Sequence, residues 1–301
     1  MNKKTTILCS AADQASMNIK ENLIALHDWV CDGEVYESRW CRIVTVEKLH
    51  IFCDHIDSEL EKRGLPTDMI IFASKHKSDS GQRLFSAHFT GNVGDAKFGG
   101  NPRELAPAAP QALKSFLESV RDLAIGTDYG VSMESTHHGP TALSVPSMYV
   151  EIGSGEAEWV DRDAGRIVAS AILGMCMNMS AGPRELEPES AAPVAVGFGG
   201  GHYAPRQTKL IFETRITFGH NFPKYQLDSL DDGLILEALL KSNADFAYFD
   251  RKSMKAAERH RISAVIEDLG YEVLRESRIR ERFRVMTVKR GDDRENAGGG
   301  I

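Results

Sequence analysis

The chain has 301 residues, 42% of them hydrophobic and 26% charged, and its formal net charge is −7 at pH 7. A chain of this size and composition can bury a sizeable core as a globular protein. It contains no run of about 18 apolar residues, which excludes a membrane-spanning helix, and its acidity excludes general coating of nucleic acid.

Short β-rich runs alternate with helical stretches along the chain, and this alternation predicts an α/β fold. In the first half, strands are predicted at residues 5–11, 69–74, 84–91, 129–136 and 147–154, and helices at residues 15–26, 110–124 and 156–179. The Gly- and Pro-rich segment 92–110 is expected to form a loop over a site. We expect residues 5–11 to be a first strand and not part of a signal peptide, because no long apolar stretch is present there.

In the second half, strands are predicted at residues 193–200, 214–220, 246–250, 271–277 and 283–290, and helices at residues 228–242 and 253–269 and from Pro205. We therefore expect residues 1–290 to form a single large α/β domain. Its central sheet should be mixed, mostly parallel and flanked by helices. Residues 291–301 are expected to be a disordered tail.

The five cysteines are scattered and form no C-x-x-C pair, so we expect free thiols and a reducing cytoplasm. Charge is unevenly placed, because residues 251–301 carry 13 Lys and Arg against 9 Asp and Glu, a net +4 on a body of −11. Lys252, Lys255 and Arg259 lie in this segment. A basic region on an acidic body suits one specific anionic partner, although a solvated helix face of alternating charge would give the same pattern.

Histidines follow three of the predicted strands, at His76, His202 and His220. Because ligand sites in open α/β sheets lie outside the carboxyl ends of the strands, we expect these side chains along one edge of one sheet. Imidazoles in glycine-containing turns suit a metal or acid–base site better than a hydrophobic core. The pattern therefore predicts a catalytic cleft.

Two further histidines, His137 and His138, are adjacent, and both reach one site only if the chain turns there, as the following Gly-Pro dipeptide suggests. Imidazole with a carboxylate is a ligand set for zinc, and it is also a metal-free general base with its orienting acid. No H-E-x-x-H motif is present to decide between them. The predicted catalytic residues are His76, His138, His202 and Glu151, and the predicted metal ligands are His137, His138, His202 and Glu151. The histidines assigned to surface or core are His27, His50, His55 and His260.

Three consecutive glycines, Gly199, Gly200 and Gly201, stand between a predicted buried strand and His202. Their N–H groups predict a nest for an oxyanion or a phosphate, to which Lys75 and Arg206 would add charge. A tight turn needed only for packing is the alternative. No Walker A, G-x-G-x-x-G or G-x-S-x-G motif is present, so neither a nucleotide cofactor nor Ser–His–Asp chemistry is expected.

Seven segments in order carry a family resemblance: ASKHKSDSG, FTGN, ESTHHGPT, EIGSGEAEW, GFGGGHYAPR, TFGH and DRKS. Together they resemble the D-aminoacyl-tRNA deacylases of archaeal and plant type over residues 5–285, nearly the whole chain. The resemblance implies hydrolysis of the ester that joins a D-amino acid, for example D-tyrosine, to tRNA, as a step of translation quality control. It also implies Zn²⁺ as cofactor and a fold related to phosphorylases and peptidyl-tRNA hydrolases.

The resemblance implies that the anionic partner of the basic segment is D-aminoacyl-tRNA. Lys252, Lys255 and Arg259 are then expected to contact tRNA phosphates. Water activated by zinc or by histidine would attack the ester carbonyl, and the glycine nest would hold the oxyanion. Neither a membrane nor DNA is expected as a partner, and the expectation for the assembly is a monomer.

Two other readings stay open on the sequence. One is a metal-dependent amidohydrolase or phosphorylase-like enzyme that acts on a small molecule, which the acidic body allows. The other is a non-catalytic module that binds tRNA or protein. Clustered imidazoles argue against the second of these, because binding alone does not need them.

Overall fold

Two main β-sheets organise the computed structural model, which describes residues 3–79, 81–180 and 191–285. Over these ranges the larger sheet has eight strands: β1 (Lys4–Ser10), β2 (Val30–Asp32), β3 (Val35–Glu37), β4 (Cys41–Val46), β5 (Thr67–Lys75), β6 (Leu84–His88), β9 (Gly130–Met133) and β10 (Ser147–Gly153). A short antiparallel pair joins β7 (Gly91–Asn92) to β8 (Glu104–Leu105). The smaller sheet consists of β11 (Val194–Phe198), β12 (Thr217–Phe222), β13 (Phe246–Phe249) and β14 (Glu272–Leu274).

The strand order of the larger sheet is β2-β3-β4-β1-β5-β10-β6-β9, and that of the smaller sheet is β12-β11-β13-β14. The run from β4 to β10 is parallel, as are the pair β6–β9 and the whole smaller sheet, whereas β10 and β6 are antiparallel. The predicted α/β class with a mixed, mostly parallel central sheet is therefore confirmed. The strands after residue 193, however, form a second sheet and do not extend the first.

Helices cover the sheets: α1 (Gln14–Leu26), α2 (Ile56–Lys62), α3 (Pro110–Leu123), α4 (Glu156–Trp159), α5 (Arg162–Ser180), α6 (Pro205–Glu213), α7 (Asp232–Lys241), α8 (Ala256–Asp268) and α9 (Glu276–Arg282). Single 3₁₀ turns lie at His50–Phe52 and Lys224–Ser229. One hydrophobic cluster contains Ile71 of the larger sheet, Phe218 of the smaller sheet and Phe116 of α3. Because α3 buries its apolar face between the sheets, the two sheets share a core.

The helix predicted at residues 156–179 is broken into α4 and α5. The amide of Asn18 on α1 donates to the carbonyls of Trp159, at 3.0 Å, and Asp161, at 2.7 Å, at the break between α4 and α5. The Asp161 carboxylate then accepts from the backbone N–H groups of Asp163 and Ala164, which caps α5. A polar side chain from another helix thus ended a segment whose own sequence is helical throughout.

The C-terminal region also differs from the prediction. The strand expected at residues 271–277 is the three-residue β14, and α9 follows it at once. Most of the strand expected at 283–290, and the tail expected at 291–301, lie outside the described residues.

No helix in the described ranges is long and apolar enough to cross a membrane. All five cysteines are free thiols, and four of them are buried.

Candidate functional site

A cavity of about 390 Å³ lies at the carboxyl ends of β5 and β10. Its lining includes all four residues predicted to be catalytic, together with His137: His76, His137, His138, Glu151 and His202. The structure therefore brings together side chains that are up to 126 positions apart in the sequence. The rest of the wall combines polar and charged groups with apolar ones, among them Asp13, Lys75 and the buried Tyr149.

The histidines reach this cavity from two sheets and not from one. His76 follows β5 of the larger sheet, whereas His202 follows β11 of the smaller sheet. His220 does not reach the cavity at all, because it lies inside β12, where its ring bonds to Thr136 Oγ1 at 3.0 Å and to the carbonyl of Ala106 at 2.9 Å. The expectation of three histidines along one sheet edge is wrong, because the two sheets meet edge to edge at the site.

His137 and His138 both face the site because the chain turns between them. His138 adopts a left-handed conformation, with φ of +43°, which brings its ring to the side of its neighbour and places the ring centroids 4.4 Å apart. Both rings lie beside His88, which ends β6, at centroid distances of 4.1 and 4.9 Å.

These three imidazoles are oriented in the same way. Each places Nδ1 against a backbone carbonyl: His137 on Ser135 at 2.8 Å, His138 on Gly139 at 2.7 Å and His88 on Phe89 at 3.2 Å. Nδ1 therefore carries a proton in each ring, and burial lowers the pKa of His137 and His138, so in these two Nε2 keeps its lone pair. An N–H held by a backbone carbonyl is typical of metal-binding histidines.

Two functional candidates, Glu134 and His88, were missed by the sequence reasoning. The fully buried Glu134 carboxylate lies 2.9 Å from His202 Nε2, 3.2 Å from His76 Nδ1 and 3.8 Å from His137 Nε2. The sequence pattern places this glutamate at the end of a strand, and the available signals were its position three residues before His137 and its place in the ESTHHGPT segment. His88 likewise looked like an alternating strand residue.

Ion pairing and burial shift the pKa values of the clustered histidines and glutamates in opposite directions. Burial alone would lower the pKa of His76, but Glu151 and Glu134 outweigh it and raise that pKa to about 10. Burial would raise the pKa values of Glu134 and Glu151, but the adjacent imidazoles hold both of them below the usual value. Two buried carboxylates therefore stay charged only because positive charge lies beside them.

The donor atoms fit a divalent metal such as zinc. His88, His137 and His138 form one trio, and a second trio contains His76, Glu134 and His202; within each, the donor atoms lie within 4.8 Å of one another. Among the described residues, His88 Nε2, both Glu134 oxygens and Glu151 Oε2 are buried without a well-aligned hydrogen bond. Buried polar atoms are rarely left in this state unless an ion or water completes them.

The predicted oxyanion nest is occupied by the protein itself. The N–H of Gly199 donates to the carbonyl of Phe222 at 2.8 Å, and the N–H of Gly200 donates to Ser253 Oγ at 2.6 Å. Both glycines have positive φ, of +94° and +90°, so the alternative of a tight packing turn is correct for them. The carbonyl of Gly201 accepts from Ser135 Oγ at 2.9 Å, which also ties the turn to the loop before His137.

The two cations proposed to assist that nest, Lys75 and Arg206, lie in different places. Lys75 lines the cavity, with Nζ 5.0 Å from the centroid of the Trp159 ring, and it remains a candidate for contact with substrate. Arg206 instead pairs with Asp250 at 3.3 Å and does not line the cavity within the described part of the chain.

The predicted tRNA contacts are only partly available. Lys252 and Lys255 are exposed, and Lys255 pairs with the side chains of Asp228 and Glu258 at 3.7 and 3.3 Å. The guanidinium of Arg259 donates to the carbonyls of Arg251 and Met254, which shapes the turn before α8. A role for Arg259 in phosphate binding is therefore disfavoured.

Of the histidines assigned to surface or core, only His50 lines the cavity. It is buried against Phe72 and Tyr149, and burial lowers its pKa to about 4, so it is neutral at pH 7. His55 and His260 are exposed, and His27 packs beside two tryptophans.

Comparison with known proteins gives a consistent result. A family model described as D-aminoacyl-tRNA deacylase matches residues 63–274. A protein of that name from Methanosarcina acetivorans is 49% identical over 94% of this chain and 95% of its own length, and one from Archaeoglobus fulgidus is 38% identical over 93% and 99%. A crystal structure of a conserved protein of unknown function has a TM-score of 0.86 and 37% identity over 95% of this chain and all of its own.

Gly139→Ala tests the packing that positions His138. A Cβ at this position would overlap the backbone of Gly99 and Gly100, so we expect the variant to lose about 1–3 kcal/mol in its free energy of unfolding. Gly94→Ala is the matched control, because it has open space around the added Cβ and should stay within about 0.5 kcal/mol. Urea unfolding measures both, and equal stability of the two variants would contradict the packing.

Proposed function

We propose that this chain, which belongs to the D-aminoacyl-tRNA deacylase family, hydrolyses the ester bond between D-amino acids and tRNA, with D-tyrosyl-tRNA as one substrate. The observation that carries the proposal is a cluster of five histidines and two buried glutamates, of which His76, His137, His138, His202 and Glu151 line the cavity. A pure binding module would not need to bury such a set of acid–base groups. The family assignment favours a tRNA ester over a small-molecule substrate.

Water activation is proposed to rest on imidazole–carboxylate pairs. Glu134 lies 2.9 Å from His202 Nε2, so the carboxylate orients that ring and leaves the other ring nitrogen to take a proton from water. The side chain of His202 is 34% exposed, which leaves it accessible to water and substrate. Glu151 instead keeps His76 protonated, and His76 Nε2 lies 2.9 Å from the Tyr203 hydroxyl, so His76 is proposed to supply positive charge and not to act as a base.

The residues proposed to hold Zn²⁺ are His137, His138, His202 and Glu151, with His88 and Glu134 added from the structure. Zn²⁺ bound there would supply a Lewis acid that polarises the ester carbonyl and lowers the pKa of water. The six donors exceed the four ligands of one tetrahedral zinc ion.

Substrate handling is proposed to involve cations at two places. Lys75 in the cavity can donate to the oxygen on which charge develops, a part that Gly199 and Gly200 cannot play. Lys252 and Lys255 are proposed to contact tRNA phosphates and to do no chemistry. The free cysteines support action in a reducing compartment such as the cytoplasm.

The defining test is deacylation of D- and L-tyrosyl-tRNA by the purified protein. We expect release of D-tyrosine only, loss of activity with a chelator and recovery with Zn²⁺. Equal release of both enantiomers would contradict the stereospecificity, and no release would contradict the function. Activity that persists after complete metal removal would leave the metal-free base as the mechanism.

Glu134→Gln tests the metal cluster directly. The amide keeps the shape but removes a buried charge, so zinc affinity should fall by more than the roughly 10–100-fold that loss of an outer-shell partner causes. Calorimetric titration of metal-free protein measures this loss, and Glu118→Gln on the exposed face of α3 is the control. If Glu134→Gln bound zinc as tightly as the unchanged protein, the cluster would not be the zinc site.

Replacing Lys252 and Lys255 by Ala tests the tRNA contact. Each phosphate contact contributes roughly 0.9 to the slope of log affinity against log salt, so the slope should flatten by about 1–2 while turnover at saturating substrate is retained. A Lys3→Ala, Lys62→Ala double variant removes the same charge from other exposed sites. Unchanged tRNA binding with collapsed turnover would instead place residues 250–253 in the active site.

A further inference from the structure

The cavity has one apolar side chain at its mouth that packing does not account for. Phe98 lines the cavity, yet 67% of its surface is exposed. Single exposed apolar side chains are common on protein surfaces, so exposure by itself assigns no role to Phe98. Its position beside the histidine cluster suggests that it serves the substrate.

The backbone around Phe98 is fixed although its ring is not buried. The carbonyl of Phe98 accepts from the N–H of Gly139 at 3.0 Å, and the Asn92 amide donates to the carbonyls of Gly99 at 2.9 Å and Asn101 at 3.1 Å. Gly99 has φ of +77°, and a Cβ there would overlap the carbonyl oxygen of Ile51. The ring is therefore presented from a rigid loop, which lowers the entropy lost when something binds to it.

The charges at the same cavity point to a nucleotide. Lys75 and Lys77 line it together with Phe98. An ester on tRNA is carried by the ribose of the 3′-terminal adenosine, which is single-stranded, so its base and phosphate must lie next to the cavity during hydrolysis. Aromatic rings that stack on bases, combined with nearby cations, are the usual means of binding single-stranded nucleic acid.

We propose that Phe98 stacks on the base of the 3′-terminal adenosine of tRNA and so positions the ester at the histidine cluster. The inference rests on the proposed function, because it assumes that the cavity takes an aminoacyl-tRNA end. Phe98 is a positioning residue and takes no part in proton transfer. Contact with the amino-acid side chain is the competing role, but a pocket for that group would enclose the ring, and the ring is open to solvent.

The test measures binding of two uncharged tRNAs, one complete and one lacking its terminal adenosine. The unchanged protein should bind the complete tRNA more tightly, and Phe98→Ala should weaken that binding by about 10-fold, within the range for loss of one stacked base. The same variant should bind the shortened tRNA as the unchanged protein does. Phe98→Trp should restore the preference, because it restores an aromatic face.

Phe52→Ala is the matched control, since Phe52 is 55% exposed and does not line the cavity in the described ranges. It should leave both affinities unchanged. In deacylation of D-tyrosyl-tRNA, Phe98→Ala should raise KM by a similar factor and leave kcat close to its original value.

Several results would overturn the inference. Phe98→Ala could weaken the binding of both tRNAs equally, Phe52→Ala could weaken the binding of the complete tRNA as much as Phe98→Ala does, or Phe98→Trp could fail to restore that binding. A loss of deacylation that follows the size of the D-amino acid, compared between D-alanyl- and D-tyrosyl-tRNA, would assign Phe98 to the side-chain pocket. Failure of the proposed function is separate, because the unchanged protein would then release no D-tyrosine at all.

Discussion

The burial of two carboxylates among imidazoles is the constraint on which the rest of this site depends. Glu134 and Glu151 are almost entirely removed from water. An isolated charge in such a place would cost several kcal/mol, so the fold must supply positive charge at close range. In the metal-free protein the protonated His76 does this for both carboxylates. A divalent cation held by the same donor atoms would meet this need with less dependence on pH.

Meeting this need requires the two sheets to be joined at the site. Residues 134–136 form the seam: Glu134 bridges to Tyr203, the N–H of Ser135 donates to the carbonyl of His202 at 2.8 Å, and the N–H of Thr136 donates to the carbonyl of Asn221 at 2.8 Å. His220 belongs to this seam, because its ring bonds to Thr136 Oγ1. One of the histidines singled out by the sequence therefore positions the site without entering it.

Sequence predicts those parts of the site that depend on contacts between residues close together in the chain, and it misses those that depend on distant residues. The rule that ligand residues follow strand ends led to His76 and His202, which both line the cavity, because strand and turn are encoded in adjacent residues. It could not show that β5 and β11 belong to different sheets, since parallel pairing depends on partners far along the chain. Glu134 was missed for the same reason, because its contacts are with His202 and His76, neither of which is near in sequence. The nest at Gly199 failed because Phe222 and Ser253 take the N–H groups that a local pattern leaves free.

Electrostatics at long range also limits how a tRNA can be held. A body with net charge of −11 repels an anionic polymer, so favourable contacts must be confined to places where cations are not already paired. On α9 the arginines are matched by carboxylates, with Arg280 held by Glu213 and Glu276, so this helix presents little net attraction. Lys75 and Lys77 at the cavity, and Lys252 beside the turn that carries Gly200, are exceptions to that pairing pattern. Contacts with the acylated end of the tRNA are therefore expected from Lys75 and Lys77, and contacts with its phosphates from Lys252.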